Sequence, residues 1–422
     1  MISEKAAFFQ SLPLSARIKI DLMFSGIRYS EALGSAADHA LPNYYPYRFS
    51  ASEKNPTGRK TARIPYMMVL EDGTHVRIKS NGNSPWVVNG SLEQGYALHH
   101  DDNRHNAIAF EPLPKWMTWQ SSDGLPLAQA GVSLHGDMAV INVAPGCQYF
   151  LADKQKGRSM RCTFCTYGAP NLRNARLDQS LSEVALPEPT YQRMQEALRA
   201  ALDECTIRHI YLVGGSMTDW HQEGERFIAL ARRVQEVVDR RVPVTCGSGA
   251  LPEECLHTLR ADDLVQSICF NLEVWSEPLF AKVCPGKNRY VGYHRWISAL
   301  EQAVGLWGRE RVYSAMVAGV ELEPEHGLTW QAAADLAVEG AEDLCRRDII
   351  PIYSLYWPVG GRDNPDYLQN LMTYFERMNM GYLAVRERYG LNIWDGFMCH
   401  QCAYMQLECD IDRALASAEQ DT

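Results

Sequence analysis

Between residues 138 and 355 the sequence alternates short apolar runs with longer amphipathic stretches, and this alternation constrains the fold more than any other feature. The short runs predict strands, and the 3–4-residue spacing of apolar positions in the longer stretches predicts helices. The predicted strands lie at 138–144, 207–213, 242–246, 266–271, 312–317 and 348–355. The predicted helices lie at 189–204, 222–240, 252–261, 289–307, 328–346 and about 364–389. Such strand–helix units imply a parallel sheet with right-handed crossovers, either doubly wound or curled into a full or partial barrel.

Unusual residues recur where the predicted strands end. A cysteine-containing segment follows the first strand, and the next four strand ends carry Gly214-Gly215-Ser216, Gly247-Ser248-Gly249, Asn271-Leu272-Glu273 and Ala318-Gly319-Val320-Glu321. The carboxyl ends of parallel strands form one edge of the sheet, and ligands bind there in both kinds of α/β fold. One glycine turn has an ordinary structural explanation, but five marked strand ends in phase indicate a shared site.

The segment after the first strand contains Cys147, Cys162 and Cys165, with Phe164 directly before the last cysteine. Three thiolates at a strand end can hold a four-iron cluster and leave one iron without a protein ligand. A structural zinc site is the alternative. Zinc usually takes four ligands in tight pairs, and His135 is the available fourth ligand. The phased strand ends favour iron and sulfide over zinc.

Composition and charge argue against several other classes of protein. The 422 residues are 46% hydrophobic and 22% charged, as in an ordinary soluble protein, and the net charge of −10 argues against nucleic acid as the main partner. No apolar run approaches the roughly 20 residues of a membrane helix, and the N-terminus does not resemble a signal peptide. We therefore expect a cytoplasmic protein with no membrane partner, whose clustered cysteines bind metal. Among the scattered cysteines, Cys284 in Val-Cys-Pro-Gly-Lys stands out from the others, which we take as small buried residues.

These motifs resemble those of the radical S-adenosylmethionine (SAM) enzymes over roughly residues 138–360. The usual cysteine motif of that superfamily is Cys-x3-Cys-x2-Cys with an aromatic residue before the last cysteine. Cys162-Thr-Phe-Cys165 matches its second half, whereas the first gap here has 14 residues. A similarly lengthened gap is known in superfamily members of deazaguanine biosynthesis, so 148–161 is predicted to be an insertion that can reach over the site. Asn271-Leu-Glu273 and the segment 312–321 are similar to those of the lipoyl- and biotin-synthase-like branch.

The resemblance implies a fold, two cofactors and a set of site residues. The fold is a partial (βα)6 TIM-type barrel, and the catalytic centre is a [4Fe-4S] cluster on the three cysteines, with SAM as the second cofactor. Such enzymes cleave SAM reductively to a 5′-deoxyadenosyl radical that transforms a small-molecule substrate, with an electron from a partner such as flavodoxin or ferredoxin. The residues implied around SAM are Phe164 near the adenine, Gly214, Gly215 and Ser216 at the methionine amino group, Asn271 and Glu273 at the ribose or amino group, Arg295 at the carboxylate, and Ser314 and Gly319 near the nucleoside. Ser216 stands where the superfamily usually has an acid.

A second cysteine group near the C-terminus comprises Cys399, Cys402 and Cys409. Its spacing is compatible with an auxiliary iron–sulfur cluster, with a zinc site completed by His400, or with no metal. The predicted organisation is an N-terminal extension of helix and small sheet at 1–135, a radical SAM core at 136–360, and a C-terminal helix with a cysteine-rich segment at 361–422. Two other functions stay open: a non-catalytic zinc protein for structure or assembly, and an iron–sulfur enzyme that transfers the aminocarboxypropyl group of SAM.

Overall fold

The structure is a computed structural model, and it contains two compact units. It describes residues 12–29, 45–48, 61–64, 67–77, 81–91, 93–101, 103–110, 113–144, 146–150, 160–165, 186–356, 364–397, 407 and 410. The first unit comprises 1–114, 362–368 and 400–422, and the second comprises 115–361 and 369–399.

The first unit is built from one helix and a largely antiparallel sheet. Its elements are α1 (Leu14–Ser25), β1 (Arg28–Tyr29), β2 (Tyr45–Arg48), β3 (Thr61–Ile64), β4 (Met67–Leu70), β5 (His75–Arg77), β6 (Trp86–Ser91), β7 (Gly95–His100) and β8 (Asn103–Ala109). The sheet order is β1-β6-β7-β8-β4-β5, and β2 pairs with β3 separately. Ile18 and Leu22, one helical turn apart on α1, are buried in a cluster with Met68, Val88 and Leu98 of the sheet.

The second unit contains the alternating strands and helices. Its strands are β9 (Val132–His135), β10 (Met138–Ile141), β11 (His209–Val213), β12 (Val244–Gly247), β13 (Ser267–Cys269), β14 (Val312–Ala318) and β15 (Ile350–Leu355). Its helices are α2 (Glu188–Glu204), α3 (Trp220–Val238), α4 (Glu253–Ala261), α5 (Glu277–Val283), α6 (Pro285–Tyr290), α7 (Tyr293–Trp307) and α8 (Trp330–Arg346). Helix α9 (Pro365–Tyr389) starts in the first unit and continues in the second. Because β9 pairs with β10, residues 132–135 belong to this sheet and not to the small sheet of the first unit.

The strands of the second unit lie side by side in chain order, β15-β14-β13-β12-β11-β10-β9. Strands β10 to β15 are parallel, and only β9 runs antiparallel, at the edge next to β10. A doubly wound sheet reverses its direction of winding partway, and this sheet does not. The unit is therefore a mixed α/β fold with a curled half-barrel sheet.

All six predicted strands are present, and the helix predicted at 289–307 differs. The chain there forms α6 and α7 as separate helices, because Gly292 has φ +93° and breaks the helical backbone between them. Helix α5 was not predicted at all, since its seven residues are too short to show a periodic pattern. The strand predicted at 266–271 shortens to 267–269, and Asn271 and Glu273 lie in the turn beyond it.

Helix α3 shows why these segments fold as they do. Asp219 caps its N-terminus, because its carboxylate accepts hydrogen bonds from two backbone N–H groups of the first turn. Phe227, Ala231, Val234 and Val238 follow at spacings of three and four residues and are all buried. The same periodicity that predicted the helix therefore produces its packed face.

Aromatic residues cover the N-terminal edge of the parallel strands. Phe397 stacks on Tyr313, with ring centroids 3.4 Å apart, and its ring centroid lies 5.8 Å from that of His209. His209 Nε2 lies 2.7 Å from Thr245 Oγ1, and Thr245 Oγ1 lies 2.5 Å from Ser267 Oγ, so polar groups at three strand starts are joined by hydrogen bonds. The marked strand ends lie at the opposite, carboxyl edge of the sheet. In the part of the chain that the structure describes, no helix is long and apolar enough to cross a membrane.

Candidate active site

A hydrogen bond between described residues bridges the long gap between the first two cysteines. Met160 N donates to Tyr149 O at 3.0 Å, so these two residues lie side by side. Along this shorter path only Gln148, Tyr149, Met160 and Arg161 lie between Cys147 and Cys162. The third cysteine follows in a tight turn, because Cys165 N donates to Cys162 O at 3.1 Å. The 14-residue gap therefore does not keep the cysteines apart.

The thiol of Cys147 lies within electrostatic range of those of Cys162 and Cys165. Burial raises the pKa of Cys147 to about 12, and the thiols of Cys162 and Cys165 add to that rise. The pKa of Cys162 is instead lowered, first by a hydrogen bond from the Cys284 thiol and then by the Lys287 ammonium group. Cys162 is thus the one of the two whose pKa shift favours the thiolate form.

The described residues contain no compact ligand group for a single metal ion. Within the described ranges no three His, Cys, Asp or Glu side chains are grouped closely enough to hold one metal ion. Each thiolate of a four-iron cluster binds a different iron, so its sulfurs stand farther apart than the ligands of one ion. Binding of such a cluster by Cys147, Cys162 and Cys165 stays a prediction.

The turn after β11 packs directly on the cysteine segment. Gly215 N donates to Ala144 O at 3.0 Å, and Gln148 N donates to Ser216 O at 2.9 Å. A Cβ atom at Gly215 would lie 1.9 Å from the carbonyl oxygen of Gly146, whereas one at Gly214 would meet nothing closer than 3.5 Å. Gly215 is therefore needed for the backbone approach itself, and Gly214 is not.

Glu223 joins two of the strand ends and was missed from the sequence. From the first turn of α3 its carboxylate accepts hydrogen bonds from Met217 N at 2.9 Å and Gly249 N at 2.8 Å. Burial raises its pKa, and these two hydrogen bonds oppose the rise. In the sequence Glu223 occupies an ordinary polar position of an amphipathic helix, so no pattern distinguished it. Only the fold shows that the position points inward.

The Asn-Leu-Glu turn after β13 holds a buried ion pair. Lys287 Nζ donates to Glu273 Oε1 at 2.6 Å and to Asn271 O at 2.5 Å. Burial raises the pKa of Glu273, and the ammonium group of Lys287 opposes that rise. Burial alone would lower the pKa of Lys287, but Glu273 and the nearby thiols raise it instead. Glu273 lies at the predicted place with a partner, Lys287, whose only sequence signal was the unusual Val-Cys-Pro-Gly-Lys segment.

Two residues predicted near the nucleoside, Ser314 inside β14 and Gly319 directly after it, make internal contacts. Ser314 Oγ donates to Phe270 O at 2.9 Å and accepts from Leu272 N at 3.3 Å, which secures the backbone of the preceding turn. Gly319 has φ +101°, and a Cβ atom there would lie 2.4 Å from Leu371 Cδ1. Both residues therefore shape the strand end, and their contact with a nucleoside stays a prediction.

The remaining predicted residues lie at less enclosed positions. Phe164 is half-buried in the Cys162–Cys165 turn. Arg295 is exposed on α7, where its guanidinium carbon lies 5.8 Å from the ring centroid of Trp220. Binding of the SAM carboxylate by Arg295 stays a prediction. The second cysteine group, Cys399, Cys402 and Cys409, lies outside the described residues.

Glu321 gives the stability of the protein a predicted pH dependence. Burial raises its pKa to about 7, although Gly319 N and the Tyr374 hydroxyl donate hydrogen bonds to it. Between pH 4.5 and 7 the folded state holds a proton that the unfolded chain has released, so the free energy of unfolding falls as the pH rises, by on the order of 3 kcal/mol. We expect Glu321→Gln to flatten this fall in urea unfolding of the apoprotein at about pH 5 and pH 8. Glu325→Gln, at an exposed position, is the control, and an equal pH slope in wild type and Glu321→Gln would contradict the prediction.

Comparison with known proteins supports the resemblance to radical SAM enzymes. No protein-family model matches the chain. The bacteriochlorophyllide c C-7(1)-hydroxylase of Chlorobaculum limnaeum, a radical SAM protein, is 23% identical to it over 257 residues. The chain is therefore similar to an enzyme of the radical SAM superfamily. The alignment covers 59% of this chain and 59% of the relative, so the chain spans about three fifths of the relative's length. Among solved structures, a radical SAM methyltransferase from Sphaerobacter thermophilus has a TM-score of 0.36 and 15% identity, covering 74% of this chain and 75% of that chain.

The predicted resemblance to radical SAM enzymes is thus confirmed at the level of the superfamily. The superfamily implies a [4Fe-4S] cluster and SAM as cofactors, and the cysteine segment supplies thiols of the right number and chemistry. Assignment to the lipoyl- and biotin-synthase-like branch rests on Asn271-Leu-Glu273 and the segment 312–321, and it stays a prediction.

Proposed function

We propose that this protein cleaves SAM reductively at a [4Fe-4S] cluster held by Cys147, Cys162 and Cys165, and uses the resulting radical to transform a small-molecule substrate. The observation that carries the proposal is the pairing of Tyr149 O with Met160 N, which bridges the long gap between the first two cysteines. It supports one cluster site on all three cysteines, at the carboxyl edge of the sheet. We infer a partial (βα)6 TIM-type barrel from the chain-order winding of the parallel strands.

The chain's own residues hold, orient and enclose the cofactors. Cys147, Cys162 and Cys165 would hold the cluster as thiolates, and SAM would bind to it through its amino and carboxylate groups. The chemistry supplied by a bound, reduced cluster is one electron, which breaks a carbon–sulfur bond of SAM and leaves methionine and a 5′-deoxyadenosyl radical. Gly215 lets the turn after β11 approach the cysteine segment, and Glu223 fixes that turn to the one after β12. Glu273 offers a carboxylate to the ribose or amino group from a position that Lys287 holds.

Product analysis under anaerobic conditions tests the proposal. Protein reconstituted with iron and sulfide, reduced, and supplied with SAM should form 5′-deoxyadenosine and methionine in equal amounts, the radical taking its hydrogen atom from the reductant or buffer when no substrate is present. One electron is required for each SAM, so a one-electron donor such as flavodoxin or ferredoxin should replace a chemical reductant. Formation of methylthioadenosine instead would show transfer of the aminocarboxypropyl group. Absence of any SAM-derived product from iron-loaded protein would refute the proposal.

Metal analysis separates the cluster from structural zinc. Protein purified without oxygen should contain iron and acid-labile sulfide, whereas stoichiometric zinc without iron would favour a non-catalytic zinc protein. For the second cysteine group, a Cys399→Ala variant distinguishes the three alternatives. Loss of about four irons per chain indicates an auxiliary cluster, loss of zinc indicates a zinc site, and no change indicates no metal.

A further inference from the structure

We propose that the buried positive charge of the Lys287 ammonium group makes the reduction potential of the cluster less negative. This inference rests on the proposed function, because it requires a cluster on Cys162 and its two partner cysteines. It concerns the segment 283–287, which contains none of the residues predicted from the superfamily motifs.

The segment 283–287 is fixed to the cysteine segment by its backbone. Thr163 N donates to Val283 O at 2.8 Å, and Gly286 N donates to Met160 O at 2.9 Å. The two segments approach so closely that a Cβ atom at Gly286 would lie 2.5 Å from Tyr149 Cγ. Side chains on 283–287 therefore keep a defined position relative to Cys162.

The ammonium group of Lys287 is enclosed and held from three sides. The residue is only 6% exposed. Its Nζ contacts Asn271 O at 2.5 Å and Glu273 Oε1 at 2.6 Å, and it lies 4.7 Å from the ring centroid of Trp296. A carbonyl oxygen, a carboxylate and an aromatic face are all groups that stabilise a cation. The charge therefore stays at the strand ends and cannot move into solvent.

Several anionic or potentially anionic groups face this cation. They are the carboxylates of Glu273 and Glu223 and the thiols of Cys162 and Cys284. Lys287 therefore lies among several groups that carry or can take a negative charge.

A fixed positive charge favours the reduced cluster. Reduction adds one negative charge, and the attraction between that charge and a buried ammonium group is weakly screened where water is excluded. Net charge near the sulfurs is one of the factors that set the potential of iron–sulfur proteins. Removal of the cation should therefore make the cluster harder to reduce, and removal of its carboxylate partner should make it easier.

Potentiometric titration of the reconstituted cluster, followed by electron paramagnetic resonance, tests both signs. At a fixed solution potential, Glu273→Gln should raise the ratio of reduced to oxidised cluster above wild type. The double variant Lys287→Met with Glu273→Gln removes both charges without leaving a buried unpaired ion, and should lower that ratio about tenfold relative to Glu273→Gln. A tenfold change corresponds to about 59 mV for a one-electron couple. Lys287→Arg keeps the charge and should stay near wild type.

The outcomes separate this inference from the proposed function. Wild-type protein that binds no iron and sulfide refutes the proposed function and the inference with it. Wild-type protein with a cluster, but with equal potentials in wild type, Glu273→Gln and the double variant, refutes the role of Lys287 alone. If the double variant does not retain a cluster, the comparison of Lys287→Met with Lys287→Arg decides. A lower ratio of reduced to oxidised cluster in Lys287→Met supports the inference, and an equal or higher ratio overturns it.

Discussion

Replacing Cys162 by alanine is expected to lower the iron content from about four atoms per chain at this site to a small remainder and to reduce 5′-deoxyadenosine formation to background. Two thiolates cannot hold a four-iron cluster with the same geometry, and the thiol most biased toward ionisation is the one removed. Iron and acid-labile sulfide after anaerobic reconstitution, measured with the amount of nucleoside product, provide the test.

Two further variants make the Cys162 experiment specific. Cys205→Ala removes a half-buried cysteine at the end of α2, outside the two cysteine clusters, and should keep the iron content and activity of wild type. Cys284 needs its own control, because its thiol contacts that of Cys162 and is available as a substitute ligand. If Cys162→Ala keeps some iron, adding Cys284→Ala should remove it. Full activity in the double variant would show that the cluster is held elsewhere.

Gly215→Ala is expected to have the second large effect, because it places a methyl group where a backbone oxygen already lies. The added Cβ atom would stand 1.9 Å from Gly146 O, and neither partner is a flexible side chain end. The turn after β11 and the cysteine segment must therefore separate. Overpacking of this kind costs about 1–3 kcal/mol in the free energy of unfolding. Since Cys147 follows Gly146 directly, the iron content after reconstitution should fall as well.

Gly214→Ala is the matched control, one residue away in the same turn. Its Cβ atom would make ordinary contacts, at 3.5 Å from Phe227 Cζ and 3.6 Å from Ala144 O. The free energy of unfolding should therefore stay equal to wild type or rise by about 0.4–1 kcal/mol, because alanine reduces the entropy of the unfolded chain. Urea unfolding of both apoproteins measures the difference. Equal stability of the two variants would mean that the close approach at Gly215 does not exist.

The sequence determined the type, order and approximate position of most elements in the second unit. Strand and helix periodicities are local properties, so they can be read without knowledge of tertiary contacts. The cysteine motif and the marked strand ends likewise lie next to elements that local periodicity locates. In a parallel sheet such strand ends share one edge. Two features were not predicted, because their local sequence signal is weak or ambiguous: the short helix α5, and the break at Gly292 between α6 and α7.

The tertiary structure alone decided how the site is assembled. Hydrogen bonds between residues far apart in the chain leave no periodic trace, so no pattern could show that Tyr149 pairs with Met160 across the insertion. For the same reason Glu223 looked like a surface acid, and Lys287 had no visible partner until β13 and α6 brought it to Glu273. Burial of charge is a property of the folded chain. The sequence thus determined which residues end each strand, and the packing of the strands decided which of them meet.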